Sequence, residues 1–174
     1  LTEAMLFASG AINRLGHVDD GTTSSDYEPE EVDRKSSMQL TLIPVEWRNK
    51  KINLLDTPGY ADFAGEVRSA LVAADTAVLL VSAVDGVEVG TESSWKLTAD
   101  HSLPQIVVVN KLDRDNADFF ESLEGIRDRF GRECVATHLP KGQGSSEGTV
   151  SLHDPAAASE HPRFTEFYEA LVEL

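Results

Sequence analysis

The sequence predicts an α/β protein with a doubly wound, mostly parallel sheet and helices on both faces. One observation is the order of the elements, because strand-like runs alternate with helical patterns between residues 51 and 130, as they do in parallel sheets. A second is that residues 76–83 and 105–109 are apolar without alternation, which is typical of strands covered on both faces. The 174 residues, 41% hydrophobic and 26% charged, have the composition of a globular protein.

The first part of the chain combines a helix, a loop and a strand. Apolar residues at helical spacing predict a helix over residues 1–15. Residues 16–37 are polar, acidic and rich in turn formers, and they predict a long loop that is either functional or disordered, with solvated carboxylates. Residues 38–47 predict a strand at the sheet edge, because Pro44 within it has no N–H to donate to a ladder.

Beyond the turn at residues 48–51, the chain runs antiparallel into a strand that ends at Asp56. Predicted helices then cover residues 61–73, 90–101 and 115–130, and Gly131 ends the last of them. Asp62 and Glu66 lie one helical turn apart and are expected to form a solvated face. A strand at 133–139, a flexible segment at 141–160 and an amphipathic helix at 162–174 follow.

Composition excludes several classes of function. The net charge of −15 and the pI near 4.6 disfavour non-specific binding of nucleic acid by the chain as a whole. Its single cysteine, Cys134, excludes an internal disulfide and fits a reducing compartment. No apolar run approaches the roughly 18 residues of a membrane helix. We therefore expect a cytoplasmic monomer without a membrane partner and without direct binding to DNA.

Asp56-Thr57-Pro58-Gly59 follows the predicted strand directly. Open α/β sheets bind their ligands at the carboxyl ends of strands, which is where Asp56 stands. Pro58 stiffens the turn, and Gly59 has no side chain to keep a ligand away from its N–H. A helix beginning near Ala61 would point its positive end at the same place. The combination suits a divalent cation and a phosphate, although an ordinary strand-to-helix turn would have the same letters.

Asn110-Lys111-Leu112-Asp113 follows the apolar strand at residues 105–109. An ionised Asp113 can accept hydrogen bonds from N1–H and N2–H₂ of guanine, and such charged bonds are worth ~1.5–3 kcal/mol each. Two of them would favour guanine over adenine by roughly 10²–10⁴. Asn110 would hold the loop and contact the ring edge, and the Lys111 stem would cover one face of the base. Four such letters often occur by chance, but together with Asp56-Thr-Pro-Gly they are a strong signal.

The two motifs together resemble those of the P-loop GTPases. Longer stretches, including DTPGYADFAGEVRSAL, LPQIVVVNKLDRDNADFF and HLPKGQG, are similar to the G domain of elongation factor G, and to its elongation factor G-like branch in particular. The resemblance covers about residues 1–144. It implies that residues 1–131 are a partial GTPase domain and that residues 132–174 begin a shortened insertion subdomain. It also implies that the cofactors are GTP or GDP with Mg²⁺, and that the partner is the ribosome.

The resemblance assigns roles by position. Asp56 would hold Mg²⁺ through water, and the Gly59 N–H would face the γ-phosphate. The loop at residues 16–37 would be switch I, in which Ser37 replaces the family's Mg²⁺-binding threonine. Asn110, Lys111 and Asp113 would read guanine. The reaction would be GTP hydrolysis during protein biosynthesis.

Two departures from the family pattern lead to alternatives. Tyr60 stands where the family has a histidine that orients the attacking water, so a nucleotide switch with little hydrolysis remains an alternative. The glycine-rich P-loop is absent from the 174 residues, and the first helix has no N-cap. We therefore expect a fragment that lacks the first central strand, binds GTP weakly and does not turn it over, or else an interaction module without nucleotide. The missing strand predicts either a gap between the strands at 51–56 and 76–83 or strained direct pairing.

Overall fold

The computed structural model describes residues 1–142 and 148–173. Its strands are β1 Thr41–Trp47, β2 Lys50–Asp56, β3 Ala77–Ser82, β4 Gln105–Asn110, β5 His138–Pro140 and β6 Thr149–Ser151. Its helices are α1 Thr2–Ser9, α2 Pro29–Arg34, α3 Ala64–Ala73, α4 Val89–Asp100, α5 Phe119–Phe130, α6 Pro155–Ala158 and α7 Phe164–Val172. Two short 3₁₀ turns lie at Val18–Asp20 and Ala61–Phe63.

The described strands form three two-stranded sheets. β1 and β2 are antiparallel, with Trp47 opposite Lys50 at the turn and Thr41 opposite Asp56 at the open end. β5 and β6 are also antiparallel. The Ala77 N–H donates to the Pro104 carbonyl at 2.9 Å and the Ala83 N–H donates to the Asn110 carbonyl at 2.8 Å. The residue numbers on the two strands increase in the same direction between these two hydrogen bonds, so β3 and β4 are parallel. The predicted α/β class is confirmed.

The chain divides into two compact units. The first unit is Leu1–Ala77 with Leu97–Pro104, and the second unit is Val78–Lys96 with Gln105–Leu174. In the first unit, Leu6 of α1 packs with Ile43 and Val45 of β1. In the second, the core cluster consists of Leu123, Ala136, Leu139, Leu152, Ala158 and Phe167. Residues that follow α5 therefore share a core with it.

Among the described residues, the expected cover on both faces is incomplete for β3 and for the start of β4. Leu79 and Val81 are buried, but Val78, Leu80 and Ile106 are 50%, 49% and 53% exposed. A continuous apolar run indicates that side chains on both faces of the strand are suited to burial. They are buried only where another element packs against each face. β2 pairs with β1 and β3 pairs with β4, so the direct pairing of β2 with β3 does not form among the described strands.

Several predicted boundaries also change. α1 ends at Ser9 rather than near residue 15, because Gly10 takes a left-handed conformation with φ of 78°. The predicted loop at 16–37 contains α2, which begins at Pro29 and ends before Lys35 in the left-handed region. α5 begins at Phe119 rather than 115, because the Asp118 carboxylate caps it.

Parts of three predicted segments lie outside the described residues. They are the end of the HLPKGQG turn, residues 143–147 of the segment at 141–160 and the last residue of the helix at 162–174. Within the described ranges, every helix is too short or too polar to cross a membrane.

Candidate functional site

Asp56 is the last residue of β2 and is half-buried. Its backbone pairs with Thr41, so the start of β1 fixes the position at which β2 ends. Pro58 is buried, while Gly59 and Tyr60 are exposed. A methyl group built on Gly59 would have no heavy atom within 4 Å, so packing within the chain does not require glycine there. The loop therefore presents a carboxylate and an accessible backbone N–H beside open space.

Tyr60 lies at the entrance to the helix that follows this loop. Its carbonyl accepts the Phe63 N–H at 3.0 Å, which starts the 3₁₀ turn before α3. The phenol points towards solvent, since the residue is 65% exposed. The predicted water-orienting position is thus accessible from outside the protein.

Two carboxylates of the segment between α1 and β1, those of Asp26 and Glu31, are buried, so the expectation that its acidic residues are solvated is wrong for these two. Glu31 of α2 is 2% exposed. Its carboxylate accepts the N–H groups of Met38 at 2.8 Å, Gln39 at 3.1 Å and Glu28 at 3.4 Å. Backbone groups solvate this charge in place of water, which is the condition under which a carboxylate can be buried.

Two further carboxylates hold the ends of the same segment. Glu3 of α1 accepts the Gly16 N–H at 3.0 Å and the Ser24 N–H at 2.9 Å. Glu66 of α3 accepts the Leu40 N–H at 2.9 Å, so the expectation that Glu66 belongs to a solvated face is wrong. Sequence reasoning missed these roles because the partners of both carboxylates are distant in sequence. Only the Glu28-Pro29-Glu30-Glu31 pattern gave a local signal, that of a helix start.

Ser37, the predicted Mg²⁺ ligand of this segment, donates its hydroxyl hydrogen to the buried Asp26 carboxylate at 2.6 Å. The Oγ lone pairs stay available, because the hydroxyl acts only as a donor in this bond. Ser37 and Asp56 supply hard oxygen atoms, and Mg²⁺ is usually bound through one or two protein oxygens together with water and phosphate. No group of three or more His, Cys, Asp or Glu within the described ranges is arranged to hold a metal.

The second unit carries the loop at residues 110–118, which joins β4 to α5. One buried residue, Ala83, binds both ends of this loop through its backbone. The Ala83 N–H donates to the Asn110 carbonyl at 2.8 Å, and the Ala83 carbonyl accepts the Asp118 N–H at 3.1 Å. The Asp118 carboxylate then accepts the N–H groups of Phe120 at 2.8 Å and Glu121 at 3.0 Å. The two ends of the loop are therefore fixed relative to the end of β3.

Lys111 has a φ of 62°, in the left-handed region that non-glycine residues rarely occupy. Its carbonyl accepts the Arg114 N–H at 3.1 Å, so the chain turns sharply at the motif. The Asp113 carboxylate is two-thirds exposed and lies 4.0 Å from Nε of Arg114. The turn leaves this carboxylate free to accept hydrogen bonds from a ligand.

Beside this loop lies an open depression of about 360 Å³. It is lined by Ser82, Val84, Asp85, Lys111, Arg114 and Asp115. Its volume is within the range of about 300–1,000 Å³ that is usual for small-molecule sites.

The predicted site residues thus form two sets. The first unit holds Ser37, Asp56, Gly59 and Tyr60, and the second holds Asn110, Lys111 and Asp113. These site positions remain predictions, and sequence reasoning missed the residues that support the two loops, namely Glu3, Asp26, Glu31, Glu66, Ala83 and Asp118. For Asp118, the spacing to Glu121 at the start of α5 was a usable signal of a helix N-cap.

Comparison with known proteins gives concordant results. The family described as "Elongation factor Tu GTP binding domain" matches residues 1–173. Elongation factor G 2 of Treponema pallidum is 40% identical over 152 residues, which cover 87% of this chain and 22% of that protein. The elongation factor G-like protein of Mycobacterium tuberculosis is 39% identical over 144 residues, which cover 83% of this chain and 20% of that protein. The chain spans about a fifth of the length of these two relatives.

A crystal structure of a protein from Thermus thermophilus superposes with a TM-score of 0.89 at 35% identity. The match covers 99% of this chain and 28% of that one. Together with the strand-end loops, these matches show that the chain belongs to the family of elongation factor Tu-type GTP-binding domains.

Proposed function

We propose that this chain is the guanine-nucleotide-binding part of a GTP-hydrolysing translation factor of the elongation factor G kind. The observation that carries the proposal is the geometry of the loop at residues 110–118. An exposed Asp113 carboxylate follows a parallel strand, on a loop whose two ends bind the Ala83 backbone. The family match over residues 1–173 supports the same reading.

Recognition of the base would rest on Asn110, Lys111 and Asp113. The two oxygens of Asp113 would accept hydrogen bonds from the N1–H and N2–H₂ groups of guanine. The Lys111 stem would cover a face of the ring, and the left-handed φ of this residue sets the direction in which the stem leaves the backbone. Adenine has neither donor and would leave the carboxylate unpaired, so it would bind more weakly.

Ser37, Asp56 and Gly59 would act on the phosphates. Ser37 Oγ would bind Mg²⁺ directly and Asp56 would hold it through water, and the ion would neutralise charge on the phosphate oxygens. The Gly59 N–H would donate to the terminal phosphate, for which the open space around Gly59 leaves room. The proposal that the ribosome is a partner depends on the resemblance to elongation factors.

Tyr60 favours a second candidate function, a nucleotide-dependent switch with little hydrolysis. The Tyr60 phenol can hydrogen-bond to the attacking water, but its single oxygen lies at the end of a longer side chain than an imidazole nitrogen, so it would place that water differently. Single-turnover hydrolysis of GTP by the wild-type protein and by Tyr60→His, with and without ribosomes, separates the two. If Tyr60→His hydrolyses GTP clearly faster than the wild-type protein, the switch is favoured. If both proteins hydrolyse GTP at the same fast rate, the GTPase is favoured.

The substitution Asp113→Asn tests the assignment of the base site. An amide in place of the carboxylate can donate to O2 of xanthine but no longer accepts two hydrogen bonds from guanine. We expect GTP affinity to fall by roughly 10²-fold or more and affinity for xanthosine triphosphate to rise. Asp128→Asn, on the exposed side of α5, is the matched control and should leave both affinities unchanged. If the ratio of the affinities for GTP and xanthosine triphosphate is unchanged in Asp113→Asn, the proposal is overturned.

A further inference from the structure

The turn between β1 and β2 concentrates positive charge in an acidic chain. We call residues 46–51 the hairpin tip; they comprise Glu46, Trp47, Arg48, Asn49, Lys50 and Lys51. Three cations and one carboxylate give the tip a net charge of +2, whereas the whole chain carries −15. A positively charged patch on a negatively charged protein attracts an anionic partner to that patch.

The backbone holds the tip in a defined shape. Arg48 and Asn49 have φ values of 47° and 60°, as the tight two-residue turns of β-hairpins require. Trp47 pairs with Lys50 and Glu46 pairs with Lys51 across the hairpin. The indole and the cations therefore project from a fixed support, which lowers the entropy lost when a partner binds.

The side chains of the tip are accessible. Trp47 is 47% exposed, and the guanidinium carbon of Arg48 lies 5.7 Å from the centroid of its ring. Within residues 1–142 and 148–173, Arg48, Lys50 and Lys51 form no ion pair with a carboxylate. The three charges thus have no ion-pair partner among the described residues, and the exposed Trp47 ring lies beside them.

We propose that the hairpin tip binds an unpaired nucleic-acid strand. The cations would contact successive phosphates, and Trp47 would stack on an exposed base, as aromatic side chains do in proteins that bind single strands. A duplex keeps its bases stacked inside and so offers Trp47 no exposed base. The acidic remainder of the chain repels the strand elsewhere and confines the contact to the tip. The contact does not require a bound guanine nucleotide, so its test is independent of the proposed function.

Intrinsic fluorescence can test the contact directly. The chain has two tryptophans, and Trp95 stacks on Phe130 with ring centroids 4.3 Å apart. In Trp95→Phe, which retains an aromatic ring at that position, Trp47 is the sole reporter. Addition of a 12-nucleotide single-stranded RNA should quench Trp47 fluorescence, and single-stranded DNA of the same sequence serves as the comparison. We expect a dissociation constant on the order of 10⁻⁴ M at low salt and a slope of log K against log salt near about −2.

Two charge variants make the test specific. Arg48→Gln/Lys50→Gln/Lys51→Gln should abolish the binding and the quenching. Arg68→Gln/Lys96→Gln/Arg132→Gln changes the net charge equally at exposed, dispersed positions and should bind within about twofold of the parent. Trp47→Ala should weaken binding by about tenfold, as expected for the loss of one stacked base. Melting curves of every variant confirm that the protein remains folded.

Four results would overturn the proposal. They are equal losses in the two charge variants, binding without quenching of Trp47, equally tight binding of a DNA duplex, or tighter binding of poly-glutamate than of RNA. Comparing the RNA and DNA arms identifies which single strand the tip prefers.

Discussion

The two candidate ligand loops, at residues 16–40 and 110–118, are held by different groups, the first by side chains and the second by backbone. Side-chain carboxylates hold the segment at residues 16–40, since Glu31 alone accepts backbone N–H groups from three residues. Backbone groups of Ala83 hold both ends of the loop at 110–118. The first arrangement depends on particular residues and can be lost by one substitution. The second depends on the position of a strand and responds mainly to changes in packing.

The largest expected effect is that of Glu31→Ala. It removes a buried acceptor and leaves backbone donors of Met38 and Gln39 without a partner, at a cost of about 3 kcal/mol in the free energy of unfolding. Urea denaturation measures it. Glu30→Ala, which removes only the exposed ion pair with Arg34, should cost at most about 0.5 kcal/mol. Similar values for the two variants would mean that the carboxylate does not hold this segment.

Ala83→Val tests the loop that the backbone holds. Its two hydrogen bonds do not involve the side chain, so the expected cost of about 2 kcal/mol comes from overpacking of a buried position. Displacement of the end of β3 should also speed hydrogen exchange of the Asp118 N–H. The exposed control Ala99→Val should cost about 0.5 kcal/mol, through helix propensity alone. Unchanged exchange at Asp118 in Ala83→Val would contradict the role of Ala83 at both ends of the loop.

Asp118→Ala removes a side chain that holds one end of the second loop. The carboxylate caps α5 through the N–H groups of Phe120 and Glu121, and its loss should cost about 1 kcal/mol. Thermal unfolding monitored by circular dichroism checks this value. Asp128→Ala, within the same helix, should not destabilise the protein, because alanine is the better helix former. Equal effects at both positions would show that the cap contributes nothing.

The smallest expected effect concerns Arg163 and Glu166 on α7. A hydrogen bond from the Arg163 guanidinium lowers the pKa of the Glu166 carboxyl. A lowered pKa in the folded state stabilises the protein above the ordinary carboxyl pKa, and this stabilisation is lost as the pH falls through the lowered value. Because the pair is exposed, Glu166→Gln should cost only about 0.3 kcal/mol at pH 7 and nothing near pH 2. A difference that persists at pH 2 would contradict the ion-pair account.

Much of the architecture could be predicted from local patterns. The apolar runs located β3 and β4, and the helical spacing located α3, α4, α5 and α7. Their ends were less predictable, because caps such as Gly10 and Asp118 act within one or two residues of the boundary. α2 was missed because its sequence is acidic with little apolar periodicity, and its stability comes from contacts that Glu31 makes outside the helix.

The sequence by itself determined the α/β class and the two strand-end motifs, and it predicted which residues would contact base, phosphate and metal. These depend on residue type and on spacing along the chain, which are local properties. Only the tertiary structure decided which carboxylates are buried, that Ala83 binds both ends of the loop at 110–118 and that one face of β3 is open to solvent. Burial and hydrogen bonding require partners distant in sequence, and chain order alone does not specify those partners.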